Sequence, residues 1–401
     1  MHEKLIVMKR YLIVHYGEIG LKGANVDYFV EKLCSFMKLK LEKKFQAKFV
    51  FKHSLRRLMA LLPDNFVEKD YVELLSKISG IKNFKFVYEG PSSIEELSAE
   101  IWKNLPGDIF ESENPPKSFK VEVKRSMLLP LKSFEAARDI GAYLLENGIN
   151  LKVSLKHPEF VVDVEFFNNH GYFSFKKYAG PGGFPTGSQS KLISLISSGF
   201  DSPVAAYFMM RRGARVIFVH FHGYPYTDKD EMEQVKDIVK ILSDYQLSTR
   251  LYLVPFGEFQ KAIGTNLEIP GKLRTVLYRR MMLMVAQQLA KKEGAKGLIT
   301  GDNYGQVASQ TPENIFAIHD ASSIPLFQPL IAFDKEDIIR VAEKIGTAEV
   351  SKLPCKDSCT MFMPKSPELR ARVSELRGIE QNFAADDWVS KLVEQVEILA
   401  F

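Results

Sequence analysis

Cysteine is scarce in this 401-residue chain: Cys34, Cys355 and Cys359 are all it has. Three thiols cannot frame a fold of this size with disulfides, which points to a reducing compartment. They also fall short of the thiolate set an iron–sulfur cluster usually takes. Long apolar runs are missing too, which excludes a membrane-spanning helix, since that needs about eighteen such residues in a row. The N-terminus, Met1-His2-Glu3-Lys4, lacks the apolar core and small-residue cleavage site of a secretion signal, so a cytoplasmic location is expected. Neither repeats nor low-complexity tracts occur, and no His or Cys set falls at zinc-ligand spacing.

Charge of one sign is not in large excess: 54 basic residues face 49 acidic ones. Its placement is uneven. The first 177 residues hold 28 of the basic and 23 of the acidic residues, and the rest of the chain balances. Lys38, Lys40, Lys43, Lys44, Lys48, Lys52, Arg56 and Arg57 lie close together in that first part. Such clustering suits a phosphate backbone, or else a solvated helix face.

The length calls for two or three domains. Residues 11–62 read as strand, helix, strand: 11–15, 26–44 and 49–62. Residues 93–105 read as a helix, 119–123 as a strand, 134–146 as a helix stopped by Gly148, and 161–166 and 172–175 as strands. These are small α+β units. Ala179-Gly-Pro-Gly-Gly-Phe-Pro-Thr-Gly187 then marks a boundary. Beyond it, strands at 192–196, 216–221, 251–254 and 297–300 alternate with helices at 203–212, 229–244 and 276–292. That alternation implies a doubly wound parallel α/β sheet covered on both faces. The expected domains are 1–69, 70–176 and 177–401.

The strongest chemical signal is Leu195-Ile196-Ser197-Ser198-Gly199-Phe200-Asp201-Ser202-Pro203. An apolar strand ends, small residues turn, and a helix starts with Pro203 in its first turn. That arrangement aims backbone N–H groups and a helix N-terminus at an anion. Asp201 is out of place in an anion site unless a divalent cation or a proton transfer needs it. An ordinary capped strand-to-helix turn is the plainer reading.

The segment resembles the Ser-Gly-Gly-x-Asp-Ser pyrophosphate loop of ATP pyrophosphatases, with Ser198 in place of the first glycine; it is not a Walker A loop. A serine there is costly if the position has positive φ. Gly180-Pro-Gly-Gly-Phe-Pro185, Tyr278-Arg-Arg-Met-Met282, Thr300 to Gln310 and Phe327-Gln-Pro-Leu-Ile331, then Asp334-Lys335 heading a helix, resemble 4-thiouridine synthetases. The opening 11–23 resembles the same family. Ser118 to Arg125, Asp139 to Tyr143 and Lys156 to Glu159 resemble its THUMP RNA-binding domain. The resemblance implies nucleotide contacts at Leu195, Ile196, His220, Phe221, Arg279, Gly301 and Gln310. Ser197, Ser198, Gly199 and Ser202 would take the pyrophosphate, and Asp201 would serve as the essential loop residue and Mg²⁺ ligand. Lys124, Arg125, Lys132 and Arg138 are the candidate RNA contacts, mostly to phosphate and sugar.

The resemblance further implies ATP as substrate, tRNA as partner and uridine at tRNA position eight as target. Uridine is adenylated and sulfur displaces AMP. The family's thiol matches Cys359, which would either accept a persulfide or resolve one held by a partner, and the four-residue spacing suggests Cys355 as the second thiol of a Cys355–Cys359 disulfide. A second persulfide-bearing domain, found in some relatives, is not expected here, so a cysteine desulfurase or another persulfide donor would deliver the sulfur. A homodimer stays open. Three rivals remain: an ATP pyrophosphatase using a nitrogen nucleophile, a sulfur relay for thiamine thiazole, and an RNA-binding protein with a decayed nucleotide site.

Overall fold

The computed structural model describes residues 8–54, 56–125, 132–354, 364 and 366–401. Two compact units emerge, Met1–Gly183 and Phe184–Phe401.

In the first unit nine strands form one sheet among the described residues. They are β1 (Arg10–Tyr16), β2 (Lys52–Ser54), β3 (Arg57–Leu61), β4 (Ile81–Gly90), β5 (Ser118–Arg125), β6 (Lys152–Val153), β7 (Phe160–Phe167), β8 (His170–Ser174) and β9 (Tyr178–Ala179). Their order is β2-β3-β1-β4-β8-β7-β5-β6, with β9 on β4. The sequence reading has no strand at β4, yet β4 is the seam of the sheet. It pairs with β1 through Ile13↔Lys85 and with β8 through Tyr88↔Phe173. The expected strand over 49–62 is instead the hairpin of β2 and β3, in which Arg56 adopts φ 63°.

Alternation along β7 explains the layering. Val162, Val164 and Phe166 pack with Leu97, Ile101, Ile140 and Leu144 from helices Ile94–Lys103 and Ser133–Glu146. Asp163 and Glu165 take the alternate positions and meet a buried charge cluster. Lys85 Nζ lies 2.5 Å from Asp163 Oδ1 and 2.7 Å from Glu165 Oε1. Arg57 Nη1 reaches Glu165 Oε2 at 2.8 Å, and His15 Nε2 reaches Oε1 at 3.2 Å. Burial pushes the Glu165 carboxyl up, but the His15 hydrogen bond and the Lys85 charge outweigh it and hold the group well below the usual range. Arg57, counted in the basic cluster of the sequence, is therefore buried and paired within the protein.

The Gly- and Pro-rich boundary is stitched down rather than loose. Gly180 N and Gly182 N donate to Lys82 O and Ile81 O, and a Cβ on Gly180 would lie 2.3 Å from Ile81 O. In the second unit Gly187 N and Gln189 N donate to Gly213 O, each at 2.9 Å.

Among the described residues the second unit holds a six-stranded sheet of β10 (Lys191–Leu195), β11 (Arg215–His222), β12 (Arg250–Pro255), β13 (Leu298–Ile299), β14 (Leu326–Phe327) and β15 (Glu397–Ala400). The order is β14-β13-β10-β11-β12-β15. The first five run parallel, as the alternating pattern requires; β15 closes the β12 edge antiparallel. Ile193, Ile217 and Val219 feed one core and Leu192, Val216 and Phe218 the other, so helices cover both faces. The chain leaves β10 for β11 on one side and reaches β13 on the other. This is the topological switch point, where such sheets open a crevice at the strand ends. Among the described residues no helix is long and apolar enough to cross a membrane.

Candidate functional site

The small-residue loop leaves β10 at that switch point. Ile196 N donates to Val219 O at 2.9 Å, holding the loop's first residue to β11. Ser197 N donates to Ser202 Oγ at 2.8 Å, and the two hydroxyls lie 3.0 Å apart. The loop is thus folded back on the first turn of helix Asp201–Arg211. Neither Ser198 nor Gly199 has positive φ, so serine at 198 carries no left-handed penalty. The concern raised by that departure from the loop pattern has no backbone basis.

Gly301 lies against the same turn. A Cβ there would sit 2.7 Å from Ser202 N and 2.8 Å from the Asp201 carbonyl carbon, so only glycine lets the chain after β13 pass. His220 is buried on β11, and its Nδ1 donates to Ile196 O at 3.0 Å. Phe221 packs edge-on against Phe256 in the core. Burial draws His222 at the strand end down to about 4, with His220 and Lys236 adding to the shift.

Arg279, on helix Arg274–Glu293, pairs with Asp302. Arg279 Nη2 meets Asp302 Oδ1, Gln310 Nε2 donates to that oxygen at 3.3 Å, and Gln328 Nε2 and Thr300 Oγ1 reach Oδ2 at 3.1 and 2.6 Å. Burial alone would raise the Asp302 carboxyl, but the Arg279 charge and these hydrogen bonds keep it ionised below its ordinary value. Arg279 and Gln310 therefore converge on one carboxylate, and Gly301, the residue before it in the chain, abuts the loop. Asp302 and Gln328 escape a reading of spacing, because their partners lie on separate stretches of chain.

Lys335 is a further group at the loop. Its Nζ lies 2.6 Å from Asp201 Oδ1 and 5.7 Å from the Phe200 ring centre. The sequence places it only at the head of a helix; there Asp334 caps helix Lys335–Ile345 by accepting from Glu336 N at 2.9 Å. Among the described residues no group of three His, Cys, Asp or Glu side chains is set to hold a metal alone. A single carboxylate at a turn that opens a helix nevertheless fits Mg²⁺, which is commonly held by one or two carboxylates plus the phosphates of a bound nucleotide. Cys355 and Cys359 lie outside the described residues. The chain before them is held by Gln234 Nε2 on Leu353 O, at 3.4 Å, and after them by Thr311 Oγ1 on Leu369 O, at 2.7 Å.

The candidate RNA residues all belong to the first unit. Lys124 and Arg125 end β5, and both are exposed. Lys132 precedes helix Ser133–Glu146 and donates its backbone N–H to Glu135 at 2.7 Å. Arg138, exposed on that helix, bonds the neighbouring Asp139.

Residues 187–385 match the family model described as thiamine biosynthesis protein (ThiI). Residues 11–84 match the ThiI ferredoxin-like domain and 92–176 the THUMP domain. A probable tRNA sulfurtransferase of Acetivibrio thermocellus is 36% identical over 393 residues, covering 98% of this chain and 99% of the relative. One of Clostridium kluyveri is 37% identical over 399 residues, covering 98% and 100%. Among solved structures, a 4-thiouridine synthetase–RNA complex with bound ATP superposes with a TM-score of 0.86 at 31% identity, covering 98% of this chain and 100% of that one. With this similarity running the length of the chain, and the loop, Gly301 and Arg279 gathered at one switch point, the protein belongs to the tRNA sulfurtransferase family.

Proposed function

We propose that this enzyme adenylates a uridine of tRNA with ATP and replaces the O4 oxygen with sulfur, giving 4-thiouridine, with position eight as the target. The observation that carries the reading is the loop at the end of β10. It is closed by the Ser197–Ser202 hydrogen bonds, sits at a helix N-terminus and is abutted by Gly301. Backbone N–H groups there bind an anion, and Arg279 and Lys335 supply positive charge. Ser197, Ser198, Gly199 and Ser202 take the pyrophosphate; Leu195, Ile196, His220, Phe221, Gly301 and Gln310 border the nucleoside. Asp201 would hold Mg²⁺, which supplies charge neutralisation on the phosphates.

The uridine O4 attacks the α-phosphate and pyrophosphate leaves. A persulfide sulfur then attacks C4 and AMP leaves, carrying the original oxygen. With that persulfide on Cys359, a Cys355 thiolate attacks the remaining S–S bond, frees the thiouridine and leaves a Cys355–Cys359 disulfide. A dithiol reductant resets the pair, and a cysteine desulfurase or similar donor recharges it. Exposed Lys124, Arg125, Lys132 and Arg138 contact the tRNA backbone.

Mass spectrometry of tRNA nucleosides tests this, after incubation with ATP, Mg²⁺ and a desulfurase with cysteine. Wild type makes 4-thiouridine and Cys359→Ala makes none. Product from both sinks the thiol assignment, and product from neither sinks the reaction. The family model's description favours a second reading, sulfur supply to thiamine synthesis. Persulfide turnover without tRNA checks it.

A further inference from the structure

Asp302 receives four side chains and is itself 5% exposed. Because an ionised carboxylate only accepts hydrogen bonds, each partner must turn a donor toward it. For Gln310 this fixes the amide: Nε2 faces Asp302 Oδ1 at 3.3 Å, and Oε1 points away. That oxygen is buried and has no hydrogen-bond partner among the described residues. A buried acceptor in that condition is unfavourable until a donor arrives. For Arg279, one Nη2 is held by Oδ1 while the side chain keeps 27% of its surface exposed. Gly301, one residue before Asp302, touches the phosphate loop. Thr300 and Gln328 brace the other carboxylate oxygen, so Asp302 cannot rotate without breaking both bonds.

The geometry points to Asp302 as the positioning residue of the ATP site: it aims the Arg279 guanidinium at the phosphates and presents Gln310 Oε1 as an acceptor for a nucleoside donor. The inference rests on the ATP-site reading above. Two groups of ATP offer such a donor, the adenine amine and a ribose hydroxyl. An isosteric asparagine at 302 brings an N–H of its own, which frees the Gln310 amide to flip and loosens Arg279.

The test is steady-state, tRNA-dependent pyrophosphate release with ATP varied. The variants are Arg279→Ala, Asp302→Asn, their double mutant and Gln310→Leu, with thermal melts as the folding control. Asp302→Asn should lower kcat/KM for ATP about ten- to a hundredfold, chiefly through KM, with KM for tRNA unchanged. The double mutant should fall no more than about threefold below Arg279→Ala, because coupled residues are not additive. Wild type should also discriminate against one of purine riboside triphosphate, 2′-deoxy-ATP and 3′-deoxy-ATP, and Gln310→Leu and Asp302→Asn should both erase that discrimination; the analogue concerned names the donor. If Asp302→Asn does not fold, Thr300→Val serves instead: it strips one bond from Asp302 and should shift KM for ATP the same way, by less. Normal ATP kinetics in Arg279→Ala would overturn the ATP-site reading. An Arg279→Ala defect with unchanged kinetics in Asp302→Asn, or in Thr300→Val where that replaces it, or additive losses in the double mutant, would overturn the role given to Asp302.

Discussion

Glu165 in the first unit and Asp302 in the second are both carboxylates removed from water and ringed by donors, but their donors end in different places. Around Glu165 the two permanent cations are themselves buried: Lys85 is 1% exposed, and Arg57 is covered and lies over the Phe167 ring, while His15 at the edge is 23% exposed. Lys85 and Arg57 meet their carboxylates inside the sheet, and the cluster joins β1, β3, β4 and β7. Around Asp302 the cation is partly open, and one bound amide has an oxygen to spare. The same pairing chemistry thus gives a structural joint where the cation is sealed and a binding device where it is not. Exposure of the partner, rather than burial of the carboxylate, separates the two.

Removing Glu165 should be the most damaging change. Glu165→Ala leaves Lys85 and Arg57 buried without their shared anion and should cost about 3–5 kcal/mol. Urea unfolding in a Trp388→Phe background, where Trp102 alone reports, measures it. The sign of the pH dependence follows from the depressed native value. The Glu165 contribution is complete above the ordinary glutamate pKa of about 4.3 and is lost as pH falls toward the lower native one. Wild type should therefore weaken in acid more steeply than Glu165→Gln. Equal slopes would mean that the cluster is not the joint described here.

Gly301→Ala attacks the second region without touching a charge. The new Cβ meets backbone, not a side chain that could swing aside, so the loop at Asp201–Ser202 must move. Misplacement on the order of 1 Å at a reacting centre costs about a hundredfold in rate. Pyrophosphate release should drop by roughly that factor while the melting temperature changes little. A variant with full activity would show that the loop tolerates the shift and would blunt the contrast between joint and device.

Much of this was legible beforehand, for identifiable reasons. The loop announces itself because small residues separate an apolar strand from a helix. The parallel sheet follows from strands alternating with helices. β4 stayed hidden because Lys85 sits mid-strand where a buried position reads as apolar, and its partners Asp163 and Glu165 are 78 or more residues away. The hairpin turn at Arg56 was missed because an arginine at positive φ gives no turn signal. Arg57 counts in the basic cluster, read there as a phosphate-backbone patch or a solvated face, because sequence records charge but not burial. Asp302 lies within the stretch Thr300 to Gln310, yet its meaning depends on Arg279 and Gln328, which only the fold brings near.

Lys124 tests the distinction at its margin, and there the smallest effect is expected. Its Nζ is 3.9 Å from Asp163 Oδ2, so it touches the rim of the buried cluster, yet its side chain is 52% exposed. If exposure of the cation marks function, Lys124→Ala should behave as a binding mutant. An exposed pair at that distance contributes at most about 1 kcal/mol, so the urea midpoint should hardly move. Affinity for tRNA should weaken alike across tRNA sequences, and the slope of log affinity against log salt should shrink by nearly one unit, the signature of one lost phosphate contact. Filter binding at several salt concentrations reads both. An unchanged slope with a large loss of stability would place Lys124 with Lys85 and Arg57, and partner exposure would no longer tell the two kinds of cluster apart.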